Sequence, residues 1–187
     1  MDAFGYLSVL VSIILGLGIT QLLTGVGRLL AARTRVRWYW PAMAWVGVLL
    51  VIHIQAWWAM FELRTHAGWT FPAFFVVLLL PIVLYLAAAL ALPDVGGDAP
   101  VDLRASYYAH AGWAYAMAAL VIVASFVRPY ALGDRRALDA DTAVHALFLA
   151  GTVGAALSRR EWYHKLMVLF FAALLTLYVL VLFDRLR

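Results

Sequence analysis

The sequence predicts an all-α membrane protein, a polytopic bundle of about six transmembrane helices that forms one integral membrane domain over residues 1–187, with no soluble domain. Hydrophobic residues make up 66% of the chain and charged residues 13%, whereas charged residues alone account for about 25% of an ordinary soluble domain. The apolar residues form continuous blocks, unlike the alternating pattern of a transmembrane β-barrel. Both observations indicate helices in a lipid bilayer.

Six apolar blocks approach or reach the length of a spanning helix, which needs about 20 predominantly apolar residues. The predicted spans are residues 4–27, 41–63, 71–92, 105–127, 138–157 and 162–183. Asp139 and Asp141 shorten the uncharged part of the fifth span. That span is expected to be a tilted, short or re-entrant helix, or a full crossing.

The first predicted helix carries small and hydroxyl side chains at every fourth position. Small residues let helix backbones approach closely in lipid, and hydroxyls can bond across the contact. The stripe predicts a packing seam, within the bundle or between copies of the chain, or the lining of a water-filled path. Gln21 needs hydrogen-bond partners at this depth. The seam residues are Ser8, Ser12 and Gly16, and the path candidates are Thr20, Gln21 and Thr24.

The second predicted helix places His53 close to its midpoint. An ionisable residue inside a membrane is a functional hypothesis by default, and a histidine can change charge near neutral pH. Gln55, Trp57 and Glu62 follow on the same helix and are predicted to line the same path. Three alternatives stay open: a neutral, hydrogen-bonded His53, a Trp57 in the interfacial aromatic belt, and a solvated Glu62.

The third and fourth predicted helices carry further packing features. Pro81 predicts a kink in the third helix, because proline removes a backbone donor. The fourth helix has a second stripe of small residues that predicts a packing seam. Aromatic residues at its start are interpreted as interfacial anchors. The seam residues are Ala109, Gly112 and Ala116, and the anchors include Tyr107, Tyr108 and Tyr115.

The charge pattern predicts topology. The net charge is +4, and its carriers lie at helix ends, which is typical of membrane topology signals and not of a nucleic-acid surface. Four arginines in the first loop favour a cytoplasmic first loop and an external N-terminus, and the first helix is expected to be retained as an uncleaved span. The expected location is a bacterial inner (plasma) membrane. The arginines are Arg28, Arg33, Arg35 and Arg37.

The sequence offers no support for an enzyme. It contains no cysteine, which excludes disulfides and thiolate metal sites. It also lacks a Gly-rich phosphate loop and the His-Glu-x-x-His and Gly-x-Ser-x-Gly motifs. No catalytic residue, metal site or cofactor is therefore predicted. The alternative is a b-type haem held between His53 and His145.

These patterns together predict an oligomeric channel or transporter-like conduit for an ion, proton or small solute beside His53. The alternative is a non-transporting structural or interaction subunit of a membrane complex. A b-haem electron-transfer protein is the minor alternative. Expected partners are membrane lipids, further copies of the chain and a partner membrane protein.

Overall fold

The all-α fold is confirmed by a computed structural model that describes residues 3–133 and 140–182. Every predicted block is represented by one helix. The described helices are α1 (Ala3–Ala31), α2 (Trp40–Ala59), α3 (Phe71–Ala89), α4 (Leu103–Ala131), α5 (Ala140–Leu157) and α6 (Glu161–Leu182). Position 138 and Asp139 of the fifth predicted span, and position 183 of the sixth, lie outside the described residues.

Four described helices, α1 to α4, are long and apolar enough to cross a membrane; α2 reaches this length together with the 3₁₀ segment Met60–Thr65 that continues it. The apolar part of α5, Thr142–Leu157, is shorter. Full crossings by α5 and α6 remain predictions.

Local sequence signals explain where the helices begin. Pro41 and Pro72 lie in the first turns of α2 and α3, where a missing backbone N–H leaves no hydrogen bond unmade. The Thr70 hydroxyl accepts a hydrogen bond from the Ala73 N–H at 3.4 Å. The Asp102 carboxylate accepts one from the Ala105 N–H at 2.9 Å. These side chains satisfy backbone donors that the first turn leaves free.

Sequential helices pack on one another, and the two main contacts between helices that are not adjacent in sequence are those of α1 with α3 and of α6 with α2. This arrangement gathers the ends of α1, α3 and α5 with the starts of α2, α4 and α6. We call this end of the bundle the basic end. It carries Arg28, Arg33, Arg35, Arg37, Arg104, Arg159, Arg160 and Lys165.

Short contacts tie the loops of the basic end together. Strand β1 (Val36–Arg37) pairs in parallel with strand β2 (Val101–Asp102). The Arg35 guanidinium donates to the carbonyl oxygens of Gly97 at 2.6 Å and Ala99 at 3.2 Å. The first loop and the α3–α4 loop therefore form one ordered surface.

The face that α1 packs into the bundle differs from its four-residue stripe. The inward face consists of Leu7, Val11, Leu15, Gly18, Leu22 and Leu29. Ser8 and Ser12 are half-buried, whereas Gly16, Thr20 and Thr24 are exposed on the single chain. The outer part of the stripe is therefore open to lipid or to another protein, and its role as a seam between chains remains a prediction.

The second predicted seam lies beside the inward face of α4. Ala109 and Gly112 are exposed and Ala116 is half-buried. A Cβ at Gly112 would lie 3.8 Å from the Ala156 carbonyl oxygen of α5, so the seam passes close to α5. Pro81 is buried inside α3, and the helix continues through it from Phe71 to Ala89.

Candidate functional site: a cavity between α2 and α6

A partly open cavity of about 320 Å³ lies between the helices of the bundle and is lined by residues of α2, α3, α4, α5 and α6, together with Glu62 of the 3₁₀ segment. Most of its lining is apolar, including Val48, Leu84 and Ile122. Polar side chains interrupt this lining on four sides of the space. They are Gln55, Glu62, Ser125, Arg128, His145, Thr152 and Tyr178.

The lining residues show how the cavity runs along the bundle. Trp45 and Thr152 lie near the helix ends that meet at the basic end, whereas Glu62 and Arg128 lie near the opposite ends of their segments. We call the group of Trp45, Phe148 and Phe171 the aromatic floor. Ring centroids are 5.9 Å apart for Trp45 and Phe171 and 5.6 Å apart for Phe148 and Phe171. The charged residues therefore lie at the far end from the floor.

Two hydroxyls in the cavity wall keep acceptor capacity. The Ser125 hydroxyl donates to the Val121 carbonyl oxygen at 3.1 Å, and the Thr152 hydroxyl donates to that of Phe148 at 3.0 Å. A hydroxyl oxygen that donates its hydrogen still has lone pairs for a ligand. The His145 ring packs between Phe126 and Tyr178, with centroids 5.5 and 5.8 Å away. The walls combine apolar surface with a few fixed polar groups, as small-molecule sites usually do.

A hydrogen-bonded chain of buried side chains lies between the aromatic floor and the basic end. The hydroxyls of Tyr115 and Tyr107 are 2.8 Å apart, and that of Tyr107 is 3.1 Å from His164 Nδ1. His164 Nε2 is 2.7 Å from the Ser158 carbonyl oxygen. A carbonyl can only accept, so Nε2 carries a hydrogen and donates it. The chain joins α4 to the α5–α6 loop and to α6.

The outer layer of the basic end covers this chain. Tyr39 and Tyr108 share a hydrogen bond of 3.0 Å; burial and this bond raise the pKa of the Tyr39 phenol above its ordinary value. Glu161 pairs with Lys165 at 2.8 Å and with Arg104 at 2.6 Å. Hydrogen bonds from these two cations hold the pKa of the Glu161 carboxyl below its ordinary value. The layer links α2, α4 and α6.

No family model, curated protein or solved structure matches this chain. The functional interpretation therefore depends on the cavity and on the residues around it.

Of the predicted path residues, Gln55 and Glu62 line the cavity. His53 does not line it and faces α1 instead: its ring packs so tightly on Gly18 that a Cβ there would collide with Nε2. His53 Nδ1 lies 2.7 Å from the Leu49 carbonyl oxygen, and the buried Nε2 has no hydrogen-bond partner among the described residues. The structure thus separates His53 from the polar groups of the cavity.

The remaining predicted path residues lie on the outside of the single chain. Thr20, Gln21 and Thr24 are exposed on α1. Trp57 is also exposed, and its indole N–H donates to the Ser12 hydroxyl at 3.1 Å. This bond joins α2 to α1 on the outer surface. These four residues and the cavity belong to different parts of the molecule.

The two histidines considered for haem also face different spaces. His53 packs on Gly18 of α1, whereas His145 lines the cavity beside Tyr178. The structure does not bring their rings to one pocket, and the haem alternative stays a prediction.

Sequence reasoning missed several cavity and network residues. Ser125, Arg128, Thr152 and Tyr178 are single polar residues on different helices, so no spacing connects them. The sequence predicts that Tyr107 and Tyr115 are interfacial anchors, yet both are buried and hydrogen-bonded inside the bundle. The available signal in the sequence for their burial was that both tyrosines lie on one face of α4. Nothing in the sequence paired them with His164.

Proposed function

We propose that this chain is a transporter-like membrane protein. Its solute path passes through the cavity that α2, α3, α4, α5 and α6 line. The observation that carries the proposal is a space of about 320 Å³ inside a membrane bundle, with seven polar side chains in its lining. Polar and charged groups at membrane depth usually face a cavity or a pathway. Gln55 and Glu62, from the sequence-predicted path, belong to this lining.

The lining favours a small organic solute over a bare ion. Ion pathways surround the ion with coordinating oxygens or rings of like charge, whereas this cavity has mostly apolar walls and an aromatic floor. A solute with a flat apolar part would pack against Trp45 and Phe171. Its polar group would lie toward Gln55, Glu62 and Arg128. The proposed substrate class is therefore a small amphipathic molecule.

The proposed location is a bacterial inner (plasma) membrane with the basic end in the cytoplasm. Arginine and lysine are enriched on the cytoplasmic side of membrane proteins. The basic end carries eight of the 14 such residues of the chain. In this orientation the charged end of the cavity faces the outside and the aromatic floor faces the cytoplasm.

Flux through proteoliposomes tests the proposal. The probes are radiolabelled tyramine, indole-3-acetate and tryptophan, which share an aromatic ring and differ in charge. Ala118→Trp places an indole in the cavity lining, and Ala109→Trp places one on the exposed face of the same helix. We expect the parent to carry at least one probe, Ala118→Trp to reduce that flux about tenfold or more, a barrier increase near 1.4 kcal/mol, and Ala109→Trp to retain it.

Flux at the level of empty liposomes for all three probes, or equal flux through the two tryptophan variants, would count against a solute path in this cavity. Monodisperse elution of each variant on size exclusion serves as the folding control.

A second candidate function is an interaction subunit, because α1 presents polar groups outward. Thr20, Gln21 and Thr24 are exposed on the single chain, next to Gly16. An amide that faces lipid lacks hydrogen-bond partners, whereas a second helix can supply them. This face suits a further copy of the chain or a partner membrane protein.

Cysteine crosslinking distinguishes a further copy of the chain from a partner membrane protein on this face of α1. The chain has no native cysteine that would interfere. Thr24→Cys in membranes is expected to form a covalent dimer if copies meet along α1, whereas Leu177→Cys, exposed on α6, serves as the matched control. A stoichiometric foreign protein that survives mild-detergent purification, without self-crosslinking, would favour the subunit role.

A further inference from the structure

We propose that His164 is a proton-binding residue that controls the barrier between the aromatic floor and the basic end. The proposal rests on the proposed function only in taking the cavity as the path. The geometry that carries it is the chain from Tyr115 through Tyr107 to His164 and the Ser158 carbonyl. His164 and Tyr115 have no solvent-exposed surface.

The hydrogen bonds around His164 are complete only when its ring is neutral. Nε2 donates to the Ser158 carbonyl oxygen, which leaves a lone pair on Nδ1. The Tyr107 hydroxyl donates to that lone pair and accepts from Tyr115. Each hydrogen of the three side chains then has one acceptor.

Proton uptake reverses the direction of this chain. A hydronium ion at the basic end gives a proton to the Nδ1 lone pair: one N–H bond forms, one O–H bond of the hydronium breaks, and an imidazolium and a neutral water molecule result. Nδ1 then donates, so Tyr107 must accept from it and turn its own hydrogen toward Tyr115. The hydrogen of Tyr115 loses its acceptor, because Tyr107 is the only hydrogen-bond partner of that hydroxyl within residues 3–133 and 140–182. A buried donor without a partner destabilises the closed arrangement.

The groups around His164 are aromatic rings and paired charges. Rings of Tyr107, Tyr108 and Tyr115 from α4 and of Tyr163 from α6 contact it. Tyr39, before α2, reaches it through Tyr107 and Tyr108. Among the nearby charges on α4 and α6, Glu161 pairs with both Arg104 and Lys165. In the described part of the chain, no carboxylate is hydrogen-bonded to His164.

Tyr115 connects this proton site to the cavity. Its ring centroid lies 4.7 Å from that of Trp45 and 6.3 Å from that of Phe171, two members of the aromatic floor. A displacement of Tyr115 therefore loosens the floor. Proton binding at His164 opens the route from the cavity toward the basic end.

Single-cysteine labelling tests the proposal without any knowledge of the solute. Thr152→Cys reports access to the floor side of the cavity, and Thr34→Cys, exposed at the basic end, normalises for thiol ionisation. The probe is a sulfonated, membrane-impermeant maleimide added to sealed vesicles whose basic end faces outward. We expect the normalised labelling rate of Thr152→Cys to rise about tenfold from about pH 8 to about pH 5.5, because proton binding leaves the buried Tyr115 hydrogen without an acceptor.

Two variants test whether the pH response of the labelling rate comes from the His164 network. His164→Gln retains a donor for Ser158 and an acceptor for Tyr107 but binds no proton, so the normalised rate is expected to stay low at both pH values. Tyr107→Phe removes the donor to Nδ1 and is expected to raise the rate at about pH 8, leaving less than a twofold pH response. It keeps the test decisive if His164→Gln does not fold. His110→Gln is the matched control, because His110 is exposed on α4, and it should retain the full response.

A pH response that persists in His164→Gln, or its absence in the parent, would overturn the proposal. Labelling of Thr152→Cys from the opposite side of the membrane, at either pH, reports the cavity itself. If Thr152→Cys is labelled from that side but shows no pH response from the basic side, the result supports the cavity and contradicts the proton site. Failure of labelling from both sides would overturn the proton site and count against the proposed function too.

Discussion

The depth of a residue along a helix and the direction in which its side chain points are set by different parts of the sequence. Counting along the second span places His53 near the middle of the predicted helix, but its direction depends on α1. Gly18 has no Cβ, and the space this leaves is filled by the imidazole. The contact turns His53 toward α1 and away from the cavity. A count along one helix cannot reveal this, because the deciding residue lies on another helix.

The Gly18 contact gives a prediction at this scale. Gly18→Ala adds a methyl group against His53, and overpacking of this kind costs about 1–3 kcal/mol. We expect a lower midpoint of thermal unfolding in detergent for Gly18→Ala. Gly16→Ala on the same helix meets nothing within 4 Å, so the midpoint should stay at or above that of the parent, because alanine favours the helix over glycine. The double variant Gly18→Ala/His53→Ala should recover part of the loss; equal midpoints for the two alanine variants would refute the contact.

Glu161 gives a second prediction, about pH. Its carboxyl pKa is lowered from the ordinary value of 4.5 by hydrogen bonds from Lys165 and Arg104. A carboxyl with a lowered folded-state pKa contributes stability above its unfolded pKa and loses it as the pH falls through the folded value. The parent should therefore lose more stability than Glu161→Gln as the pH falls below 4.5. Melting curves measured over this range check the difference, which parallel pH profiles would contradict.

Whole helices were easier to predict than single contacts. Continuous apolar blocks give six helices close to the predicted positions, because the bilayer requires long apolar segments with internally paired backbones. The faces of these helices were harder to assign. The stripe on α1 points outward for much of its length, and Tyr107 and Tyr115 on α4 point inward. In an apolar helix the hydrophobic pattern does not distinguish lipid from protein, so the rotation is fixed by neighbours.

The start of α4 carries a prediction for an element. Asp102 caps the helix through the Ala105 N–H at 2.9 Å, and loss of such a cap costs about 0.5–2 kcal/mol. Asp102→Ala should lower the unfolding midpoint, and Asp102→Asn, which keeps an acceptor, should stay close to the parent. Asp98→Ala, in the exposed loop before β2, controls for loss of charge. A midpoint for Asp102→Asn as low as that of Asp102→Ala would assign the effect to the ion pair with Arg37 at 3.8 Å.

At the scale of the whole molecule, the cavity depends on five helices at once. Its polar lining is scattered over α2, α4, α5, α6 and the segment after α2. No periodicity within one helix could indicate it, because α2, α4, α5 and α6 contribute only one or two polar residues each. Gln55 and Glu62 were predictable as polar positions in an apolar span. Their neighbours in space follow only from the packing of the bundle.

Water access to the middle of α4 is the measurement that tests the account most directly. Ala118 lines the cavity, whereas Leu120, two residues later, is exposed on the outer face of the same helix. In a lipid bilayer a small charged maleimide is predicted to label Ala118→Cys and to leave Leu120→Cys unlabelled, since a thiol facing lipid has no access to the reagent. Equal labelling of the two cysteines, or none at Ala118→Cys, would contradict a hydrated cavity at membrane depth and with it the proposed solute path.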